Sequence, residues 1–247
     1  MSQALSRPRT DLELFEANRL FYDALWSDVR LVQPERFNTW PLVSSLAVQS
    51  RRRLEVAPGL RPRFPLQGTL FVDISAPALS QLRDRGANGI QGRISSLPFP
   101  DSAFDLVCAL DIIEHVDDDE LALSELSRVT EPGGALLIST PLHPSHWTAF
   151  DEFVGHRRRY EPTQLAAMLA QHGLSVERSA VHGMRPRSSW LVDFGMWAMI
   201  HRRKQAMFLY NHVMMPLAVR FEKTLTFAPG MIETADVDEV LLLCRKA

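Results

Sequence analysis

The chain has 247 residues, 46% of them hydrophobic and 23% charged, with a net charge of −2. That length sustains one large domain with a full core, and the near-neutral balance excludes recruitment by bulk charge to nucleic acid or to an anionic membrane. Cys108 and Cys244 each lie in an apolar run and read as free thiols of a reducing compartment, not as a disulfide framework.

Thr10 followed by Asp11 and Glu13 marks a helix start, and Leu12, Phe15, Tyr22 and Trp26 carry an amphipathic helix to about Val29. A second helix is predicted over 38–50. From Leu54 short apolar runs alternate with helical segments. LEVA (54–57) and TLFVDI (69–74) read as strands, followed by a helix over 77–85, a weak strand within NGIQG (88–92) and a strong one at FDLVCAL (104–110). Asp117 and Glu120 are spaced for a capping box on a helix over 117–130. PGG (132–134) turns the chain into the strand ALLIST (135–140). Pro162 opens a helix whose face holds Leu165, Met168 and Leu169, and Gly173 ends it. LSVERSAV (174–181) and EVLLLCR (239–245) complete the strands.

Such alternation, with continuous apolar strands, predicts a doubly wound, mostly parallel seven-stranded α/β sheet. The expected organisation is a single domain: N-terminal helices over 1–50, core sheet over 51–182 and 237–247, and a helical insertion over 183–236. Within the insertion Met207, Tyr210, Met214, Leu217 and Phe221 keep one face, and Pro216 marks a kink. Its Met, Trp and Phe content reads as packing over an uncovered sheet face. A lid over an apolar acceptor, a homodimer surface and a peripheral membrane patch are the alternatives. The N-terminal segment holds no apolar core of signal-peptide length, and the apolar stretch 190–200 is too short to span a bilayer, so a cytoplasmic protein without a transmembrane segment is expected.

The turn after the first strand, Ala57-Pro58-Gly59-Leu60-Arg61-Pro62, sits where α/β proteins bind nucleotides. Pro58, Pro62 and Pro65 have no N–H to donate, and the connection to the second strand is too short for the usual crossover helix. Without that helix N-terminus a phosphate binder loses its main device, which argues against NAD and nucleotide triphosphates. A cofactor with a ribose and no phosphate escapes the objection. Asp73, ending the second strand, is placed to accept from ribose hydroxyls or, alternatively, to cap the next helix with Ser75.

The pieces LEVAPG, VDIS, LPFPDSAFDLV, IIEHVDD, ELALSELSRV, EPGGALLIST and DEFVGHRRRYEPTQL follow in an order and spacing that resembles class I S-adenosylmethionine-dependent methyltransferases, especially the type 11 methyltransferase domain. The resemblance covers about 54–182 and resumes at 239–245. It implies a Rossmann-like methyltransferase fold closed by an antiparallel hairpin, S-adenosyl-L-methionine as cofactor, and methyl transfer to a small-molecule acceptor, with no nucleic acid partner. It also implies cofactor contacts at Glu55, Ala57, Gly59, Asp73, Ile74, Ile94, Leu110 and Asp111. Two departures stand out. Ala57 and Arg61 replace the first and last glycines of the family turn, and Arg93 stands where the family carries an acid near the adenine, leaving the main chain at Ile94 for that contact. A catalytically impaired scaffold or regulatory descendant is the competing reading.

Methyl transfer from a sulfonium is an in-line displacement, so the protein must align acceptor, methyl and sulfur away from water. A hydroxyl acceptor needs a general base, and His115, His143 and His146 follow strand ends where a cleft is expected. His115 has the alternative role of pinning its loop. His143, His146, Asp151 and His156 match no tight zinc spacing, so no metal is expected. In the basic segment 155–160, His156, Arg157, Arg159 and Tyr160 form a candidate grip on an anionic acceptor, against the alternative of a solvated loop.

Overall fold

Strands β1 (Arg53–Val56), β2 (Thr69–Asp73), β3 (Asn88–Gln91), β4 (Phe104–Leu110) and β5 (Thr130–Pro141) run parallel in the order 3-2-1-4-5. The computed structural model describes residues 11–183 and 189–247. Beyond β5, β8 (Glu239–Lys246) inserts antiparallel between β5 and β6 (Leu174–Val181). Among the described residues the sheet is therefore mixed and has eight strands. The eighth is β7 (Ala228–Pro229), two residues paired with Arg178 and Ser179, where Pro229 suits an edge. The other seven are those expected from sequence, although β5 runs straight through the PGG segment and does not start after it.

Alternation along the strands sends side chains to two faces. One face, with Leu54, Val107 and Leu136, packs against α4 (Asp119–Val129) and α6 (Pro162–Gln171) through Leu123, Leu126, Leu165 and Leu169. Helix α4 is capped by the side chain of Asp118, which accepts from the Leu121 N–H, so the cap lies one residue after the expected Asp117. The other face carries Phe71 under α3 (Ala76–Arg83), and Leu106, Cys108, Leu137 and Leu243 under α2 (Trp40–Gln49). Residues 57–68 hold no helix. Fully buried Phe64 from that loop and Val43 of α2 fill the space a crossover helix would take, joined by Leu225 and Phe227. The sheet face is thus covered mainly by α2, not by the insertion helices.

Helix α1 (Asp11–Asp28) ends close to the expected position; its predicted start at Thr10 and the side chains of Leu12 and Phe15 lie outside the described residues. The insertion folds as α7 (Ser189–His201), α8 (Arg203–Leu209), a π-turn (Tyr210–Met214) and α9 (Met215–Arg220). Residues 184–188 of the expected insertion also lie outside the described residues. Its buried residues, Met207, Met215 and Val219, pack on Val29, Leu60 and Phe37. The expected face is wrong beyond Tyr210: Met214 and Leu217 are exposed and Phe221 is 76% exposed. The π-turn is the reason. The Met215 N–H reaches back five residues to the Tyr210 carbonyl, which advances the buried stripe by one position just before Pro216, a residue with no N–H to offer the ladder. No helix among the described residues is long and apolar enough to cross a membrane.

Candidate active site

The loop from β1 to β2 is held by its own N–H groups. Ala57 donates to the Val72 carbonyl (2.7 Å), Gly59 to Asp73 Oδ2 (2.9 Å) and Arg61 to the Pro58 carbonyl (3.0 Å). Arg63 and Phe64 both donate to the Glu55 carboxylate, at 2.8 and 2.9 Å. Together with the three prolines this leaves no N–H cradle for a phosphate, as the sequence suggests. Glu55, expected at the cofactor, instead ties the loop; burial pushes its carboxyl up to about 7, against the loop hydrogen bonds and Arg63, which lower it. Ala57 adopts φ 55° and Gly59 φ 53°, so the chain bends through left-handed conformations at the carboxyl end of β1. An alanine pays a steric cost there that a glycine does not.

Asp73 is buried at the end of β2, with Oδ1 accepting from Ser75 (2.8 Å) and Oδ2 from Gly59. It therefore organises both the turn and the start of α3, where Ser75 is the N-cap, while each oxygen keeps a further lone pair. Burial raises its carboxyl to about 6. Ile74 follows, its carbonyl held by Gln91 Nε2 (2.9 Å). Ile94 lies in the turn closed by the Ser96 N–H on the Arg93 carbonyl (3.1 Å), and Leu110 and Asp111 end β4, Asp111 at φ 49°. These are adjacent strand ends at one edge of the parallel sheet, where ligands bind in open α/β folds.

Helix α1 lies over this edge. A Cβ built on Gly59 would fall 2.2 Å from Trp26 Cζ2, so the indole rests directly on the turn. Tyr22 is stacked near Trp26 (6.3 Å between centroids), and its hydroxyl lies 3.1 Å from His115 Nδ1. Burial and then the carboxylates of Glu114, Asp73 and Asp111 push the Tyr22 phenol far up. Asp23 Oδ1 and Glu114 Oε1 are buried without hydrogen-bond partners among the described residues. Arg61 faces the rings of Trp26 (5.9 Å) and Tyr210 (5.4 Å). Arg61 thus roofs the turn, and the edge below is rich in acids.

The expected histidine bases are anchored. His115 is buried between Tyr22 and the His156 ring, and burial pulls it down to about 3, so it is neutral. His143 Nε2 pairs with the Thr234 carbonyl (2.7 Å), and His146 sits 3.4 Å from Asp238. The basic segment is neutralised within the protein. Arg159 bonds Asp151 (2.8 Å) and Asp238 (2.8 Å), and His156 also bonds Asp151, the residue that caps α5 (Ala149–Val154). Tyr160 donates to Asp119 (2.8 Å), and Arg157 lies 3.4 Å from Asp117. Arg159 and Tyr160 are committed to holding the loop over β5, which leaves them poor candidates for gripping an acceptor.

A different group converges beside Asp111. Asp111, His182 and Glu239 present ligand-type atoms that all lie within 4.8 Å of one another, as do Glu114, His115 and His156. Ser139 Oγ donates to Asp111 Oδ1 (2.5 Å), and His182 Nε2 is 3.7 Å from Glu239. Among the described residues His182 Nδ1 is buried with no hydrogen-bond partner, and burial draws the ring down to about 4. Burial and the neighbouring Asp111 push Glu239 well up. Arg63, buried with its guanidinium 3.7 Å over the Phe37 ring, is the nearby cation. Sequence reasoning missed this group. His182, just past β6, and Glu239, the first residue of β8, lie 57 positions apart and meet only through the antiparallel closure.

The residues fit S-adenosylmethionine in their chemistry: Asp73 offers acceptor lone pairs, the turn offers no anion grip, and the buried acids Asp73 and Glu114 near Tyr22 suit a positively charged ligand. Residues 58–138 match the family model described as a methyltransferase domain. A probable S-adenosylmethionine-dependent methyltransferase of Mycolicibacterium smegmatis is 36% identical over 35% of this chain and 34% of its own length. A demethylmenaquinone methyltransferase of Corynebacterium glutamicum is 29% identical over 43% of this chain and 54% of its own. The chain thus spans between a third and about half of the length of these curated relatives. Among solved structures, an S-adenosylmethionine-dependent methyltransferase of Thermotoga maritima superposes with TM-score 0.57 at 18% identity, covering 96% of this chain and all of that one. The [4+2]-cyclase SpnF superposes with TM-score 0.55 at 18% identity over 84% of this chain and 79% of its own. The 3-2-1-4-5 parallel strands with their antiparallel closure give the chain the fold of these solved structures, and the segment 58–138 within it is similar to a methyltransferase domain.

Proposed function

We propose that this protein transfers a methyl group from S-adenosylmethionine to a small-molecule acceptor by in-line displacement. The observation that carries the reading is the buried Asp73–Gly59 contact at the end of β2, on a turn where the Ala57, Gly59 and Arg61 N–H groups are already taken. Asp73 is assigned to the ribose hydroxyls and the main chain at Ile94 to the adenine. Ala57, Gly59, Leu110 and Asp111 are assigned to the methionine half. When bound, the cofactor supplies an electrophilic methyl on sulfur. Trp26 and Tyr22 keep water from the turn, and the alignment they enforce is the main source of rate in such a displacement.

The acceptor's reacting group is assigned to the Asp111–His182–Glu239 cluster in place of His115, His143 and His146. His182 is the base candidate, because its neutral ring keeps a buried free nitrogen. The relative that methylates demethylmenaquinone makes an apolar aromatic acceptor the first class to test. A single domain and a cytoplasmic location, the latter from the buried free thiols Cys108 and Cys244, complete the reading. A second reading, a non-catalytic scaffold, is favoured by one observation: Tyr22 and Trp26 occupy the turn. Calorimetric titration with S-adenosylhomocysteine separates the two. Micromolar binding supports the transferase, and silence up to millimolar concentrations supports the scaffold.

A further inference from the structure

Eleven of the seventeen exposed large apolar side chains among the described residues fall in the segment 190–221, so exposure is concentrated on the insertion. They are ordered. On α7, Trp190 stacks on Phe194 (5.8 Å), Phe194 on Trp197 (5.9 Å) and Trp197 on His201 (5.2 Å), forming one aromatic stripe along the helix. Trp190 is 69% exposed and Ile200 66%, values that a packing surface inside a monomer would not leave.

The stripe ends in a basic run. Between residues 189 and 227 the sequence holds five arginines and lysines against two acids, in a chain whose total charge is −2. Arg202, Lys204, Arg220 and Lys223 are exposed, whereas the acid Glu222 turns inward to accept from the Asn38 N–H. The opposite side of the insertion is anchored: Met207 and Met215 pack on Leu60 and Phe37, and Tyr210 touches Arg61 above the turn. Thirteen residues make α7 about 20 Å long, shorter than the roughly 30 Å of bilayer hydrocarbon. Exposed Asp193 keeps it at headgroup depth.

We propose that this face of α7–α9 docks on an anionic lipid bilayer, with the Trp190–Trp197 stripe among the headgroups and Arg202, Lys204, Arg220 and Lys223 against lipid phosphates. Tryptophan and phenylalanine beside cations is the composition of interfacial helices. A second copy of the chain suits the face less well, because a two-fold contact brings the same patch of four cations against itself. Docking depends on this surface and not on methyl transfer, so it stands or falls separately from the proposed reaction. It also sets the crevice roof, through Tyr210 and Arg61, next to the lipid.

Flotation of the full chain with vesicles tests this. Vesicles of phosphatidylcholine and phosphatidylglycerol are expected to carry the protein, pure phosphatidylcholine vesicles to carry little, and added salt to release it. Arg202→Gln and Lys204→Gln are each expected to reduce partitioning roughly fivefold. Trp190→Ser with Trp197→Ser is expected to abolish it at an unchanged far-ultraviolet spectrum. Binding to both vesicle types alike, or no flotation from a protein that light scattering shows to be a dimer through this face, overturns the proposal.

Discussion

Ala57 carries the most direct residue-level consequence. It holds φ 55° at a position where the resembled family carries glycine. Ala57→Gly is expected to stabilise the protein by about 1 kcal/mol in urea unfolding, because the left-handed strain exceeds the entropy glycine adds to the unfolded chain. Glu55 gives a pH signature. Its carboxyl stands at about 7 folded against 4.5 unfolded, so the folded state holds an extra proton between those values. The stability this contributes is fully present below about 4.5 and is lost as pH rises through about 7, up to about 3 kcal/mol in all. Glu55→Gln keeps one acceptor oxygen for the Arg63 and Phe64 N–H groups, removes the titrating proton, and is expected to flatten that slope in unfolding measured from pH 5 to pH 8. Residues of this kind were half legible in the sequence. The strand-end position of Glu55 can be read, but its partners cannot, because they depend on how a loop with three prolines folds back.

At the scale of elements, continuous apolar runs located β1, β2, β4 and β8, because such runs report burial on both sheet faces, whereas the largely exposed β3 gave only a weak signal. Periodicity failed where an element changes its period. The π-turn at Tyr210–Met214 leaves no apolar signature, so the face predicted from Met207 runs onto exposed Met214 and Leu217. This yields a contrast: Met215→Ala is expected to cost about 2–4 kcal/mol, while Met214→Ala stays within about 0.5 kcal/mol, both read from urea midpoints. The helix-free crossover was legible from the short connection between β1 and β2. Its replacement was not, because Phe64 and Val43 meet only in three dimensions. Phe64→Ala is expected to cost about 3–5 kcal/mol, the loss typical of a fully buried phenylalanine.

For the whole molecule, the ends of the chain converge on one edge of the sheet. α1 brings Tyr22 and Trp26 to the turn, and the closing strands bring His182 and Glu239 beside Asp111. Sequence order separates these parts, which is why the strand ends were read as a site while its roof and its acidic corner were not. The roof rests on Gly59, so α1 lies directly over the turn at the carboxyl end of β1. The central claim is that Asp73 and the Gly59 turn hold a nucleoside sulfonium without an anion grip. Isothermal titration of S-adenosylhomocysteine into the folded wild-type chain and into Asp73→Ala tests it most directly. The account predicts micromolar affinity for the wild type and a loss of about 1–3 kcal/mol in the variant; equal affinity in both, or no heat from the wild type up to millimolar ligand, would contradict it.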